Sequence, residues 1–155
     1  VTLPSGHTVD LDLMRHPGAS AIVALDEEDR VVLIHQYRHA AGGMLWEIPA
    51  GTLDGDEAPE TCAHRELIEE AGVRAGKLES MGFIFTVPGF CDERIHLFLA
   101  RELESVDAAP EDDEFIGEVR RVPLAEALRM IDSGELNDAK SSVALLRAAR
   151  QLGIS

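Results

Sequence analysis

The sequence predicts an α/β fold built as one domain, and three observations carry that prediction. Apolar, β-prone runs at 19–25, 31–37 and 115–122 have the length and flanking turn residues of strands. The stretch 51–73 passes from a Gly- and Asp-rich loop into a helix rich in carboxylates. Two later segments, 123–133 and 138–152, repeat their apolar residues at helical spacing. At 155 residues and 45% hydrophobic, the chain can bury a real core as a single domain over 1–155. It opens on Val1 rather than Met, which leaves a trimmed or incomplete N-terminus open.

In chain order, a turn at Pro4-Ser5-Gly6 leads into alternating apolar and polar residues up to His16, a half-buried strand. The runs 19–25 and 31–37 flank the polar turn Asp26-Glu27-Glu28-Asp29, which reads as a hairpin. Residues 40–43 form a loop, and 44–48 a short strand that stops at Pro49 and delivers Ala50 and Gly51. Pro59 suits the first turn of a helix, where its missing N–H is unpaired anyway, and Gly72 suits its left-handed end. Asp56, Glu57 and Glu60 match the positive end of that helix. Residues 102–113 are acidic, contain Pro110 and lack large apolar side chains, as an exposed loop does. The strand at 115–122 and the two amphipathic helices follow, with Gly134 closing the first helix.

On the helix of 59–71, Glu66 and Glu70 are four apart and Glu69 is three from Glu66, so all three project from one side. Leu67, Ile68 and Ala71 occupy the opposite arc. Like charges at this spacing weaken a helix by some tenths of a kcal/mol per pair. Clustered carboxylates without an interleaved lysine suit a hard divalent cation, Mg²⁺ or Mn²⁺, although a solvated acidic face carries the same pattern. Arg65 beside them is a fixed counter-charge able to bond carboxylates bidentately.

Twenty-nine acidic residues against fourteen basic ones give a formal charge of -15. That charge disfavours nucleic acid and anionic membranes as partners. A phosphate-bearing substrate must then be met by bound metal and a few placed arginines. Cys62 and Cys91 lack the spacing of a zinc site or a disulfide framework, which points to reduced thiols and a cytoplasmic protein. No apolar run of about 18 residues and no signal-like start suggests export or membrane spanning. His16, His35 and His39 are scattered and read as structural or surface residues.

The spacing decides between the two readings of the acidic face. Gly51, five residues, Glu57, seven residues, then Arg65-Glu66-Leu67-Ile68-Glu69-Glu70-Ala71-Gly72-Val73 resembles the Nudix box, GX5EX7REUXEEXGU with U a bulky aliphatic residue. All fixed positions are filled without gaps. QYRH at 36–39 and LWEIPAG at 45–51 are similar to the ADP-ribose pyrophosphatase branch of that family. So is Pro88, sixteen residues beyond Gly72, although Val87 stands where the branch commonly has serine.

The resemblance implies a Nudix fold, a mixed β-sheet in an α/β/α sandwich, and a metal-dependent hydrolase. Glu66, Glu69, Glu70 and the Ala50 carbonyl match its metal ligands, for two or three Mg²⁺ or Mn²⁺ ions. Arg65 matches the arginine that pairs with Glu57 and steadies the loop. A base on a mobile loop falls within 110–114, where Glu114 is the first candidate and Glu111 the second. Arg38 matches a phosphate-contacting arginine, and Pro88 marks the substrate side. Trp46 has two readings, stacking on adenine or filling the core. Glu93 resembles a glutamate held near the site as base or indirect metal partner. The implied reaction is hydrolysis of ADP-ribose to AMP and ribose 5-phosphate by a homodimer. Another nucleoside diphosphate sugar, such as GDP-mannose or a UDP-sugar, is the alternative substrate, and a non-hydrolytic ADP-ribose sensor the alternative class.

Overall fold

The computed structural model describes residues 1–108 and 115–154. Among the described residues, seven strands and three helices follow in this order: β1 (Ala19–Ala24), β2 (Arg30–Arg38), β3 (Gly43–Glu47), β4 (Ala50–Thr52), α1 (Pro59–Ala71), β5 (Val73–Phe85), β6 (Arg94–Ser105), β7 (Ile116–Pro123), α2 (Leu124–Ser133) and α3 (Ala139–Leu152). A single 3₁₀ turn at His39–Ala41 joins β2 to β3, where the sequence predicts loop. The strands divide between two sheets, ordered β4-β1-β6-β5 and β3-β2-β7. The first is mixed, with β1 parallel to β6 and every other pair antiparallel.

The predicted hairpin of 19–25 with 31–37 does not form. Only Leu25 and Val31 bridge, after which β1 pairs with β4 and β6 while β2 pairs with β3 and β7. Both runs are apolar on both faces, and each is an interior strand of a different sheet. The predicted strand over 4–16 is also absent. Isolated bridges Thr2–Thr8 and Met14–Cys91 are the β-pairing of that segment, whose alternating apolar residues Leu11 and Leu13 remain exposed. The loop predicted from 102 starts later, because β6 runs to Ser105 against the long strand β5.

β1 is buried at all six positions and separates two cores. Ala19, Ala21 and Val23 face a cluster with Leu33, Ile48, Leu97, Leu136, Leu145 and Ala148, on the side of α2 and α3. Ile22 and Ala24 face a smaller cluster with Val32, Phe98, Ala63 and Leu67 of α1. That is the helix–sheet–helix layering the sequence implies.

The boundaries of α1 have local causes. Pro59 occupies the first turn, and Gly72 at φ 60° donates its amide to the Leu67 and Ile68 carbonyls. Ser20 on β1 donates its hydroxyl to the Pro59 carbonyl at 2.8 Å, fixing the start of the helix to the central strand. α3 starts where the Asp138 carboxylate accepts the Ser141 amide at 2.9 Å. Ser141 Oγ accepts the Ile48 amide at 2.9 Å, tying α3 to the segment between β3 and β4.

Candidate active site

Residues 50–70 fold into a loop clasped to a helix, and Arg65 is the clasp. Its Nε and Nη2 donate to the two carboxylate oxygens of Glu57 at 3.2 and 3.1 Å, and Nη2 also reaches the Thr52 carbonyl at 3.0 Å. Its Nη1 donates to Glu66 at 2.7 Å and Glu69 at 2.9 Å. The guanidinium beside Glu57 holds that carboxyl below its usual range against a smaller opposing effect of burial. Hydrogen bonds that Arg65 donates to Glu57 and Glu69, with the charge of Glu66, in turn drive the Arg65 pKa upward. Glu57 also accepts the Asp54 amide, so one carboxylate shapes the loop and anchors it to the helix.

Glu70 is buried, and its Oε2 accepts the Ala50 amide at 2.7 Å, joining α1 to β4. Glu66 lies against Gly51: a Cβ at that position would sit 1.8 Å from Glu66 Oε1. The glycine is there for close approach rather than for an unusual backbone angle. Cys62 donates its thiol to the Gly51 carbonyl at 3.4 Å, and burial pushes its pKa up to about 11. It packs beneath the loop as a neutral thiol.

Glu66, Glu69, Glu70 and the Ala50 carbonyl offer only oxygen donors, the chemistry that a hard divalent cation takes. The space that a side chain at 51 would fill belongs to one of those carboxylates, so the donor set fits such an ion. Among the described residues, no three His, Cys, Asp or Glu side chains stand ready as a metal cage. Arg65 Nη1 instead draws Glu66 and Glu69 together.

Beside β4 lies a cavity of about 410 Å³. Ala50, Gly51 and Thr52 line one side, and Arg38, Lys140, Thr86 and Glu93 also border it. Glu93 accepts the Thr86 hydroxyl at 2.6 Å and stands 3.5 Å from His16 Nε2. Arg38 is held bidentately by Glu47 at 3.0 and 2.9 Å, and Lys140 Nζ donates to the same carboxylate.

Ala50, Glu57, Arg65, Glu66, Glu69 and Glu70 thus gather in one cluster, with Arg38 and Glu93 on the adjoining cavity. Pro88 lies outside that lining, in a turn where the Phe90 and Cys91 amides donate to the Val87 carbonyl. Trp46 also stands away from the cavity lining, stacked on His35 with ring centroids 4.5 Å apart and Arg120 over its ring. Glu111 and Glu114 fall outside the described residues. Sequence reasoning missed Glu47 and Lys140. The available signal was a lysine in the first turn of a helix, where the helix dipole disfavours a cation.

A family model, the NUDIX domain, matches residues 14–145. An ADP-ribose pyrophosphatase of Bacillus subtilis (strain 168) is 41% identical over 147 residues, covering 94% of this chain and 79% of that protein. A GDP-mannose pyrophosphatase of Cronobacter sakazakii is 41% identical over 150 residues, covering 90% of this chain and 76% of its own. Among solved structures, one titled as an ADP compounds hydrolase superposes with a TM-score of 0.83, covering 98% of this chain and 82% of that one, at 22% identity. A gapless box, folded as a carboxylate helix clasped to its loop, and a family match over most of the chain lead to one conclusion: this chain belongs to the Nudix family and is a Nudix hydrolase.

Proposed function

We propose that the chain hydrolyses the pyrophosphate of ADP-ribose to AMP and ribose 5-phosphate, with Mg²⁺ or Mn²⁺ as cofactor. The observation carrying this reading is the cavity bordered by Arg38 and Lys140 and by Ala50, Gly51 and Thr52, which sets two cations beside the strand that Glu66 and Glu70 lie against. The ADP-ribose pyrophosphatase among the relatives supports the choice of substrate.

Glu66, Glu69, Glu70 and the Ala50 carbonyl would hold two or three divalent ions, which would neutralise phosphate charge and lower the pKa of a coordinated water. The remaining work falls to the chain. Arg65 holds Glu57 and the Thr52 carbonyl, which keeps the loop in place beside the helix. Arg38, fixed by Glu47, orients a phosphate. Glu114, with Glu111 as second candidate, takes the proton of the attacking water. Glu93, held by Thr86, is the alternative base or supports the metal ligands indirectly. Pro88 is assigned to the substrate side, and Trp46 keeps two readings, stacking on adenine or filling the core, of which its place in the larger core cluster favours the second.

A single domain over 1–155 acting as a homodimer completes the proposal. Exposed Phe83, Phe85, Val87 and Phe90 supply apolar surface for a second copy. Among the described residues no helix is long and apolar enough to cross a membrane, and two free thiols support a cytoplasmic location.

Product release from a panel of nucleoside diphosphate sugars with Mg²⁺, and with chelator as control, tests the reading. AMP formed preferentially from ADP-ribose supports it. The GDP-mannose pyrophosphatase relative favours a second reading, and stronger turnover of GDP-mannose or a UDP-sugar would replace the substrate. Tight ADP-ribose binding without turnover would point to a sensor. Glu114→Gln should slow turnover by roughly 10²–10⁴-fold with little change in affinity. An unaltered rate would move the base to Glu111 or Glu93.

A further inference from the structure

We propose that His16 is a positioning residue for Glu93, its Nε2–H steadying the carboxylate oxygen that the Thr86 hydroxyl does not hold. This rests on the hydrolase reading, in which Glu93 serves the site as a base or behind the metal ligands. Glu93 borders the cavity beside β4, whereas His16 lines a separate space of about 370 Å³. His16 therefore acts through Glu93 and not by touching substrate.

The backbone builds the pair. The Met14 amide donates to the Phe90 carbonyl at 2.7 Å, and the Asp92 amide donates back to the Met14 carbonyl at 3.2 Å. Two segments thus run side by side into His16 and Glu93. The Asp92 carboxylate accepts the His16 amide at 2.9 Å and Arg15 Nη1 at 2.6 Å, which fixes the main chain beneath the imidazole. Gly18 then sets the ring. Its amide donates to Nδ1 at 3.1 Å, which makes that nitrogen the acceptor and places the hydrogen of the neutral ring on Nε2. Nε2 stands 3.5 Å from Glu93 Oε1, while Thr86 donates to Oε2 at 2.6 Å. A small rotation of either side chain closes that gap to a hydrogen bond. The two side chains are 26% and 22% exposed, so water competes only in part for the contact. A carboxylate that takes a proton or supports a metal ligand needs a fixed direction, and an outer donor on each oxygen supplies it. Building the turn to Gly18 uses Nδ1 alone; the aim of Nε2 at a cavity carboxylate is what a turn-building histidine does not require.

The two ring nitrogens can be tested apart, because an Asn amide mimics Nδ1 and a Gln amide reaches where Nε2 does. His16→Asn and His16→Gln are compared with the unaltered enzyme, by thermal melts and by steady-state kinetics on whichever nucleoside diphosphate sugar is turned over best. His16→Asn keeps the Gly18 bond and should melt near the unaltered protein, yet lose roughly ten- to hundredfold in kcat with KM little changed. His16→Gln loses the Gly18 bond and should melt lower, yet recover most of the rate. The reverse order of rates, or equal losses in both variants, would overturn the proposal and leave a structural histidine. Should His16→Gln fail to fold, the Glu93→Gln background decides. The kcat loss from His16→Asn should vanish there, and an equal loss in both backgrounds would overturn the assignment. If Glu93→Gln is slow and His16→Asn is not, only the His16 assignment falls. If Glu93→Gln keeps its full rate, the role given to Glu93 falls and takes His16 with it.

Discussion

Gly51 and Glu66 show how a single missing methyl group can matter to chemistry rather than to folding. The atom a Cβ would strike is the end of a flexible carboxylate, which can swing away. Gly51→Ala should therefore fold with little change in melting temperature but bind Mg²⁺ about 10–100-fold more weakly, as supporting-residue changes commonly do. Metal titration by calorimetry, set beside a thermal melt, separates the two; undiminished affinity would mean that Glu66 is not needed where it sits. Acid tolerance is also a residue property here. Arg65 holds the Glu57 carboxyl low, and for Asp26 hydrogen bonds from Arg30 and Glu28 outweigh the burial that pushes it up. Lowered folded values mean that the unfolded chain binds protons more readily. Stability is then full above the ordinary carboxylate range of roughly pH 4 and lost as pH falls through the lowered values. Asp26→Asn should flatten the acid limb of melting temperature against pH, and an unaltered slope would contradict the ion-pair account. The box residues were legible in sequence because their spacing is local. Lys140 was not, since its meaning depends on Arg38 and Glu47 arriving from β2 and β3.

At the scale of elements, α1 and α3 are each positioned by polar side chains at their first turn. The Ile48 amide donates to Ser141 Oγ, which donates to Asp138, so the cap of α3 also holds the segment leading to β4. Asp138→Ala should cost about 1 kcal/mol in lost capping, and for a domain of this size roughly 2–4 °C in melting temperature. Asp138→Asn keeps the cap and should melt near the unaltered protein; equal losses in both would assign the effect to the charge. Helix limits were legible from Pro59, Gly72 and Gly134, which act through backbone angles and missing donors alone. Strand partnership was not. The turn between 25 and 31 looks like any hairpin, and only the burial of both faces of β1 and β2 shows that each needs its own sheet.

For the whole molecule, a formal charge of -15 is distributed over a surface whose anionic cluster must still receive an anionic substrate. Self-repulsion of that size favours the unfolded chain at low ionic strength. Raising NaCl from about 20 mM to about 500 mM should increase the melting temperature, because screening lengthens no contact and weakens every long-range repulsion. A falling melting temperature over that range would show that ion pairs such as Arg65–Glu57 outweigh the net charge.

The layering described above has one more consequence. β1 is covered on both faces, and β4, which carries Ala50–Thr52, pairs with it in register at the edge of the sheet. The Ala50 amide turns instead to the buried Glu70 carboxylate. Its hydrogen can exchange with solvent only when α1 parts from β4. The working surface of this enzyme is therefore as durable as that one junction of helix and strand.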